Sequence, residues 1–367
     1  MASWRDLRNA AFAGADGLRA QFGEEFAAVR FAASLESRRH TSSPFDEFDG
    51  ALSDPERVSA IARRFGPDHS FSVNQIETYL ACPFRFFMER ILEVEDAEPP
   101  VSEFDDLVRG LILHAVLERF HRHFATKPVT ELSEPEAEGT IRAIVYEMFD
   151  ACAWRSVTAP PGVVEIEKRR MHEQMLRYLR ICRERDGEAA WAPSHFEVAF
   201  GRTETPSMDP LTQVEPFSLD TGAGAVLFSG RVDRVDLRAG AARIIDYKTS
   251  YAPRPKDIQD GLSIQLTLYA LALENFLAPG TDCAEAYYVP VGKKRWVEGL
   301  GKAANAWEGR AGLARRQVGE SVAGIRAGRF APMPQGDECA RCSARRPCRY
   351  ESGRIERKAQ EAYGPNS

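Results

Sequence analysis

Gly230-Arg231-Val232-Asp233-Arg234-Val235-Asp236, followed by Ile244-Ile245-Asp246-Tyr247-Lys248-Thr249-Ser250, is the stretch that decides the fold. Apolar and β-branched residues surround two carboxylates and a lysine, and Arg238-Ala239-Gly240-Ala241 between the halves is turn-prone. That pattern reads as a β-hairpin. A turn centred on Ala239-Gly240 sets Asp233 opposite Asp246, on one face and roughly 5 Å apart at Cβ. Lys248, two residues past Asp246, projects from the same face. A loop one residue longer or shorter would send the two acids to opposite faces. Facing carboxylates repel unless something positive lies between them, and a hard divalent cation with oxygen ligands answers that need.

Working outward, Phe71-Ser72-Val73-Asn74-Gln75-Ile76-Glu77 carries a capping box, with Ser72 as N-cap and Gln75 three residues on. The helix so begun runs through Tyr79 to Cys82-Pro83-Phe84-Arg85-Phe86-Phe87. A second helix is predicted from about Phe104 to Phe124. Leu113, Val116, Leu117 and Phe120 form its core stripe, and His114 and Glu118, four apart, share a face. Residues 131–192 read as helical, with Glu165 to Arg185 amphipathic and highly charged. Ser194 to Gly201 switches to a β pattern that contains Glu197. A loop is expected over 202–220, and the hairpin then opens at Ala225. Beyond it, a polar loop leads to a helix over Leu262 to Leu273, where Gln265 and Tyr269 lie four apart on one side. Ala284 to Val291 reads as a further strand. Cys339-Ala340-Arg341-Cys342, with Cys348 following, supplies three thiols, one short of a four-coordinate site. Cys82, 257 residues before Cys339, is the fourth candidate. Spacing alone allows zinc or an iron–sulfur cluster; Cys152, Cys182 and Cys283 read as buried.

G-x-x-D, a spacer of twelve residues, then D-Y-K resembles the core of the PD-(D/E)XK nuclease superfamily, nearest to its RecB and AddB branch. The likeness extends over residues 71 to about 352. S-x-x-Q-I-E-x-Y-x-x-C-P-F-x-F-F, from Ser72 to Phe87, resembles the opening of the AddB nuclease domain. G-x-x-x-H-x-x-L-E around His114 resembles the first RecB-like motif, and Q-x-x-x-Y resembles the fourth. The resemblance implies an α/β fold, a restriction-endonuclease-like core with a central mixed sheet flanked by helices. It also implies a [4Fe–4S] lobe on Cys82, Cys339, Cys342 and Cys348 that joins the N- and C-terminal parts. Asp233, Asp246, the backbone carbonyl of Tyr247, His114 and Glu197 would hold Mg²⁺ or Mn²⁺. Asp233, Asp246, Lys248, Gln265 and Tyr269 would be the catalytic set. Residues 1–70 are expected to form a helical extension and linker, with Phe45 to Leu52 similar to the AddB linker. Residues 71–367 would form the nuclease domain, with a helical insertion at about 131–192.

A hydrophobic content of 44% and a charged content of 28% are those of a globular protein. No apolar run approaches a membrane span, the first residues lack a signal core, and seven cysteines do not make a secreted disulfide framework. A cytoplasmic protein without a membrane partner is expected. The net charge of −6 excludes a uniformly basic coat but not a local basic groove. Lys168-Arg169-Arg170, Lys293-Lys294-Arg295 and Arg345, Arg346, Arg349 are candidates for one. Gly301-Lys302 lacks the preceding glycine of a phosphate-binding loop, and Ala303 stands where Ser or Thr would ligate magnesium. No ATP-driven motor is therefore expected. The function expected is metal-dependent hydrolysis of DNA, as an exonuclease on single strands or duplex ends in recombination or repair, with any helicase supplied in trans. Two rival readings are a non-catalytic, cluster-stapled DNA-binding subunit of a helicase–nuclease complex and a zinc-containing interaction protein.

Overall fold

The structure, a computed structural model, describes residues 19–40, 45–94, 106–152, 160–187, 191–202, 209–249, 251–293, 295–300, 306–333, 337–340 and 342–363. The chain divides into two compact units, 1–66 with 81–95 and 323–367, and 67–80 with 96–322.

The second unit is built on a seven-stranded mixed sheet. Its elements in chain order are β1 (Ser70–Ser72), α1 (Val73–Ala81, whose last residue belongs to the first unit), α2 (Asp106–His123), α3 (Glu134–Cys152) and α4 (Pro161–Asp186). They continue with β2 (Ala192–Phe200), β3 (Phe217–Asp220), β4 (Ala225–Arg238), β5 (Ala241–Lys248), α5 (Gln265–Ala272), β6 (Asp282–Pro290) and β7 (Val297–Glu298). The 14-residue β4 is the axis. Its first half pairs with β1 in parallel and with β3 antiparallel, and its second half pairs antiparallel with β2 and β5. β5 and β6 are parallel, so the chain crosses between them through α5.

The predicted hairpin register is observed: Arg234 pairs with Ile245, Val235 with Ile244 and Arg238 with Ala241. Ala239 and Gly240 take φ of 46° and 84°. Both central residues are thus left-handed, as the type I′ turn of a two-residue hairpin requires. Alternation then sorts the side chains. Asp233, Asp246 and Lys248 point to one face, while Arg234, Asp236, Arg243 and Tyr247 point to the other, where α2 and α4 supply the partners.

That second face holds a charge-balanced ionic network, buried except at its edge on Asp186. Asp236 accepts from Arg234 Nη2 at 2.8 Å and from Arg243 Nε at 2.9 Å, and Arg243 grips Asp186 with two bonds at 2.7 and 3.0 Å. Arg234 Nη1 also reaches His121 Nε2 and Tyr178 Oη at 2.9 Å and Tyr247 Oη at 3.1 Å. Burial, helped by Arg234 and Arg243, drives the His121 pKa well down and keeps the ring neutral. Around the network lies the main apolar cluster, which includes the predicted stripe Leu113, Val116, Leu117 and Phe120.

Four sequence expectations need correction. The stretch 131–192 is not helical throughout: α3 and α4 lie within it, and Ala192 already belongs to β2. Strand β3 lies in the segment read as loop; its four residues alternate buried and exposed, but so short a run does not stand out from a loop. The polar loop after β5 contains a short helix, Pro255–Gln259. The helix expected from Leu262 begins at Gln265, because its first donors are taken by a side chain from α1. The capping box holds: Ser72 N donates to Gln75 Oε1 at 2.8 Å and Gln75 N to Ser72 Oγ at 3.2 Å.

In the first unit, helices Arg19–His40 and Pro55–Arg64 accompany the segment around Cys82 and the C-terminal helices. Asp49 is buried against Arg354 Nη1 at 3.0 Å and Lys358 Nζ at 2.6 Å. A small cluster of Phe84, Met88 and Ala344 packs beside Cys82, Cys342 and Cys348. Among the described residues, no helix is long and apolar enough to cross a membrane.

Two substitutions test this account. Asp236→Ala leaves two buried guanidiniums short of a partner and should cost about 3–5 kcal/mol in denaturant unfolding. Ala239→Asn suits the left-handed turn position and should raise stability by about 0.5–1 kcal/mol. A lower midpoint for Ala239→Asn would contradict the turn assignment.

Candidate active site

The opposite face of the hairpin is where the chemistry-bearing side chains meet. His114 Nδ1 lies 3.5 Å from Asp233 Oδ1. His114, Glu197 and Asp233 each offer a ligand atom, all within 4.8 Å of one another. Glu197 takes part through an irregularity in β2. Phe196 and Val198 pair with Arg234 and Val232, while Glu197 between them has φ of 52°, a left-handed conformation that strains a non-glycine residue. Arg231 Nε holds its carboxylate at 2.8 Å.

Just past the last ladder pair, the Tyr247 N–H donates to Asp233 Oδ2 at 2.8 Å. The Tyr247 ring is committed to Arg234 and Tyr178 on the other face, so only its backbone carbonyl is on offer here. Asp246 Oδ1 accepts from Gln265 Nε2 at 2.8 Å. Its Oδ2 lies 2.7 Å from Lys248 Nζ, but off the hydrogen-bonding direction, and has no aligned donor. Lys248 donates instead to Gln265 Oε1 at 3.1 Å, and Gln265 Nε2 also reaches Tyr269 Oη at 3.3 Å. The predicted i, i+4 pair is therefore joined to the acid and the lysine through one amide.

Close approach explains the glycine of G-x-x-D. A Cβ at Gly230 would stand 2.7 Å from Phe200 Cζ and 3.1 Å from Tyr269 Cε1. Any larger residue would have to displace the Phe200 ring and would crowd Tyr269, which contacts Gln265.

Glu77 is a site residue that sequence reasoning misses. Its Oε1 accepts from Ile264 N at 2.8 Å and Gln265 N at 2.9 Å, satisfying the donors at the start of α5. Ser263 Oγ adds a third bond at 3.3 Å. Nothing near Glu77 in sequence announces this, because its partners lie 187 and 188 positions away.

The electrostatics fit a divalent cation. Burial, then repulsion from Asp233, pushes the Glu197 pKa up to about 7, despite Arg231 and His114. Burial raises Asp246 to about 6; Lys248 opposes this and Asp233 adds to it. Burial pulls His114 down, but its contact with Asp233 and the charges of Glu197 and Asp246 outweigh that and raise it. A cluster of carboxylates that resists ionising, even with the Lys248 ammonium 2.7 Å from Asp246 Oδ2, is short of positive charge. The oxygen-rich donor set with one imidazole suits Mg²⁺ or Mn²⁺.

The four predicted cluster cysteines come together in the first unit. Cys82, Cys339, Cys342 and Cys348 line one cavity of about 330 Å³. Burial, then the neighbouring thiol of Cys82, raises Cys348 to about 12, and Cys342 and Cys339 contribute to the same shift. The Met333 N–H points at Cys82 Sγ at 3.4 Å. Cys182 and Cys283 are buried elsewhere, as expected; the side chain of Cys152 lies outside the described residues.

The family model described as PD-(D/E)XK nuclease superfamily matches residues 70–349. A curated protein of Moorella thermoacetica, named as a subunit of an ATP-dependent helicase/deoxyribonuclease, is 29% identical over 212 residues, covering 55% of this chain and 17% of its own length. A relative of the same name from Symbiobacterium thermophilum is 33% identical over 244 residues, 60% of this chain and 19% of the relative. The chain thus spans under a fifth of the length of these relatives.

Two outcomes are expected. Glu197, Asp246 and His114 all have folded pKa values above their unfolded ones, so folding takes up protons and their contribution fades as pH rises. In chelator, these groups should lower the melting temperature as pH rises from about 4 through 7, and added Mn²⁺ should flatten that slope. Glu77→Ala should cost about 0.5–2 kcal/mol as a lost helix cap. It should also depress phosphodiester cleavage while leaving Mn²⁺ affinity within a factor of about three of wild type, the measure being calorimetric titration.

Proposed function

The chain belongs to the PD-(D/E)XK nuclease superfamily, and from that premise we propose that it is a divalent-cation-dependent deoxyribonuclease. It hydrolyses phosphodiester bonds in DNA recombination or repair as an exonuclease, beside a helicase supplied by another chain. One observation carries this reading: Asp246 and Lys248 meet through Gln265 on the face where His114, Glu197 and Asp233 converge. The names of the relatives support DNA as substrate and a helicase as partner. A cytoplasmic location fits six free cysteines among the described residues.

Asp233, Asp246, His114, Glu197 and the Tyr247 carbonyl are the groups that would hold one or two Mg²⁺ or Mn²⁺ ions. Such an ion, when bound, lowers the pKa of water and neutralises charge on the scissile phosphate. Lys248 carries its ammonium to the point where negative charge builds during hydrolysis. Burial lowers its pKa, but Asp246, Asp233 and Glu77 more than restore it, so it remains a cation. Gln265 fixes Lys248 and Asp246 against each other, and Tyr269 restrains the Gln265 rotamer. Arg231 steadies Glu197, and Glu77 anchors the start of α5.

We assign the four-thiol cavity to a [4Fe–4S] cluster. The split of the four cysteines, one early in the chain and three late, supports a cluster over zinc. Its role is structural: it ties the segment of Cys82 to that of Cys339, Cys342 and Cys348 inside the first unit.

Anaerobically purified protein should cleave single- or double-stranded DNA with Mg²⁺ or Mn²⁺, and chelator or Lys248→Ala should abolish cleavage. Absence of cleavage by folded wild type with either metal would favour the non-catalytic DNA-binding reading instead. The purified protein should also be brown and contain iron, and Cys342→Ser should lose both colour and iron. Zinc in stoichiometric amount, without visible absorbance, would overturn the cluster assignment.

A further inference from the structure

Two of the three basic runs singled out in the sequence end in one place. Arg170 and Lys293 line a single cavity of about 410 Å³, together with Arg109, Arg177, Thr249 and Tyr251. The structure selects among the residues of the first run. Lys168 is held by Asp150 at 2.6 Å and Arg169 by Glu165 at 3.4 Å, while Arg170 and Arg177 line the cavity with looser carboxylate contacts, at 3.7 Å to Glu167 and 3.8 Å to Glu173. Glu167 is the one carboxylate in the lining, and Arg109 binds it with two bonds at 3.1 and 3.0 Å. The balance of the lining is four cations to one anion, in a chain whose net charge is −6.

The position of the cavity is telling. Thr249 follows Lys248 directly, and Tyr251 lies three residues on, so the cavity begins within about 3–10 Å of the Lys248 backbone along an extended chain. Val291 and Gly292, just beyond β6, form its other side, so it sits off the carboxyl ends of the two parallel strands. Tyr251 is 86% exposed, the most exposed of the large hydrophobic side chains described, with Lys293 Nζ 4.9 Å from its ring centroid. A nearly bare aromatic ring beside spaced cations is the composition of sites that grip an unpaired nucleic-acid strand by its phosphates and stack its bases.

We propose that this cavity holds the single strand that flanks the bond being cleaved. Arg170, Arg177 and Lys293 take its phosphates, and Tyr251 is the platform for one unpaired base. The inference rests on the nuclease reading for its substrate, but strand binding can be measured without turnover. A small anion would need one focused pocket, whereas these cations are spread along a lining that also contains the apolar Leu113 and Met171.

The test is fluorescence anisotropy of the full chain with a labelled oligothymidylate in chelator, where no cleavage occurs, with circular dichroism to verify the fold of each variant. Tyr251→Ala should weaken binding about tenfold, and Tyr251→Trp should retain it. The double variant Arg170→Ala, Lys293→Ala should reduce the slope of log affinity against log salt by about 1.4, as two lost single-strand phosphate contacts require. Wild-type affinity and salt slope in Tyr251→Ala and the double variant would overturn the proposal, as would equal losses from Tyr251→Ala and Tyr251→Trp. Cleavage of DNA by the wild type decides the nuclease reading separately, so either idea can fail while the other stands.

Discussion

The pairing register of β4 and β5 is the constraint on which the rest depends. A two-residue turn at Ala239 and Gly240 sets it, and the strands between them carry ionisable groups on both faces. Slipping one strand by a single residue would turn all of its side chains over. Asp233 would then enter the layer of Tyr178 and His121, and Arg234 would face α5. Neither layer could satisfy such visitors. The ionic groups thus act as a check on register as well as a source of chemistry, because each finds its partners in one arrangement only.

The same strand shows how position decides what a carboxylate does. Asp236 and Asp233 are three residues apart on β4. Burial works against the charge on Asp236, but Arg234 and Arg243 override it, and its pKa is lowered. That acid serves stability. On the opposite face, Asp246 is buried and Glu197 half-buried, with less compensating charge, so the two are raised to about 6 and about 7. The fold tolerates this deficit because the other face of the hairpin is fully matched. Such a deficit of positive charge is what a group of residues that could hold a metal ion requires.

Much of this was legible in the sequence, and the reasons are local. The hairpin was readable because period-2 alternation and a turn dipeptide sit within 21 residues, from Gly230 to Ser250. The capping box at Ser72 and Gln75, the stripe on α2, and the Gln265–Tyr269 pair are likewise set by neighbours a turn away. What escaped depends on distance along the chain. Glu77 caps a helix that begins nearly two hundred residues later, and that contact shifts the start of α5 from Leu262 to Gln265. The Arg234–Asp236–Arg243 network was in plain view as a charged strand, yet only Asp186, Tyr178 and His121 from other elements show that it is buried. Cysteine spacing disclosed a four-thiol site but carried no information on which metal it suits.

The first compact unit is assembled from three separated stretches, the last being residues 323–367. During synthesis at roughly 5–20 residues per second, the 257 positions that separate Cys339 from Cys82 take about 13–50 s to emerge. Over that interval the nascent chain exposes Cys82 without its three companions, and Asp49 without Arg354 and Lys358. The second unit is continuous from residue 96 to 322 and can gather its sheet on the ribosome meanwhile. Emergence from the ribosome thus has a built-in order, in which the residues of the sheet are complete before those of the thiol site.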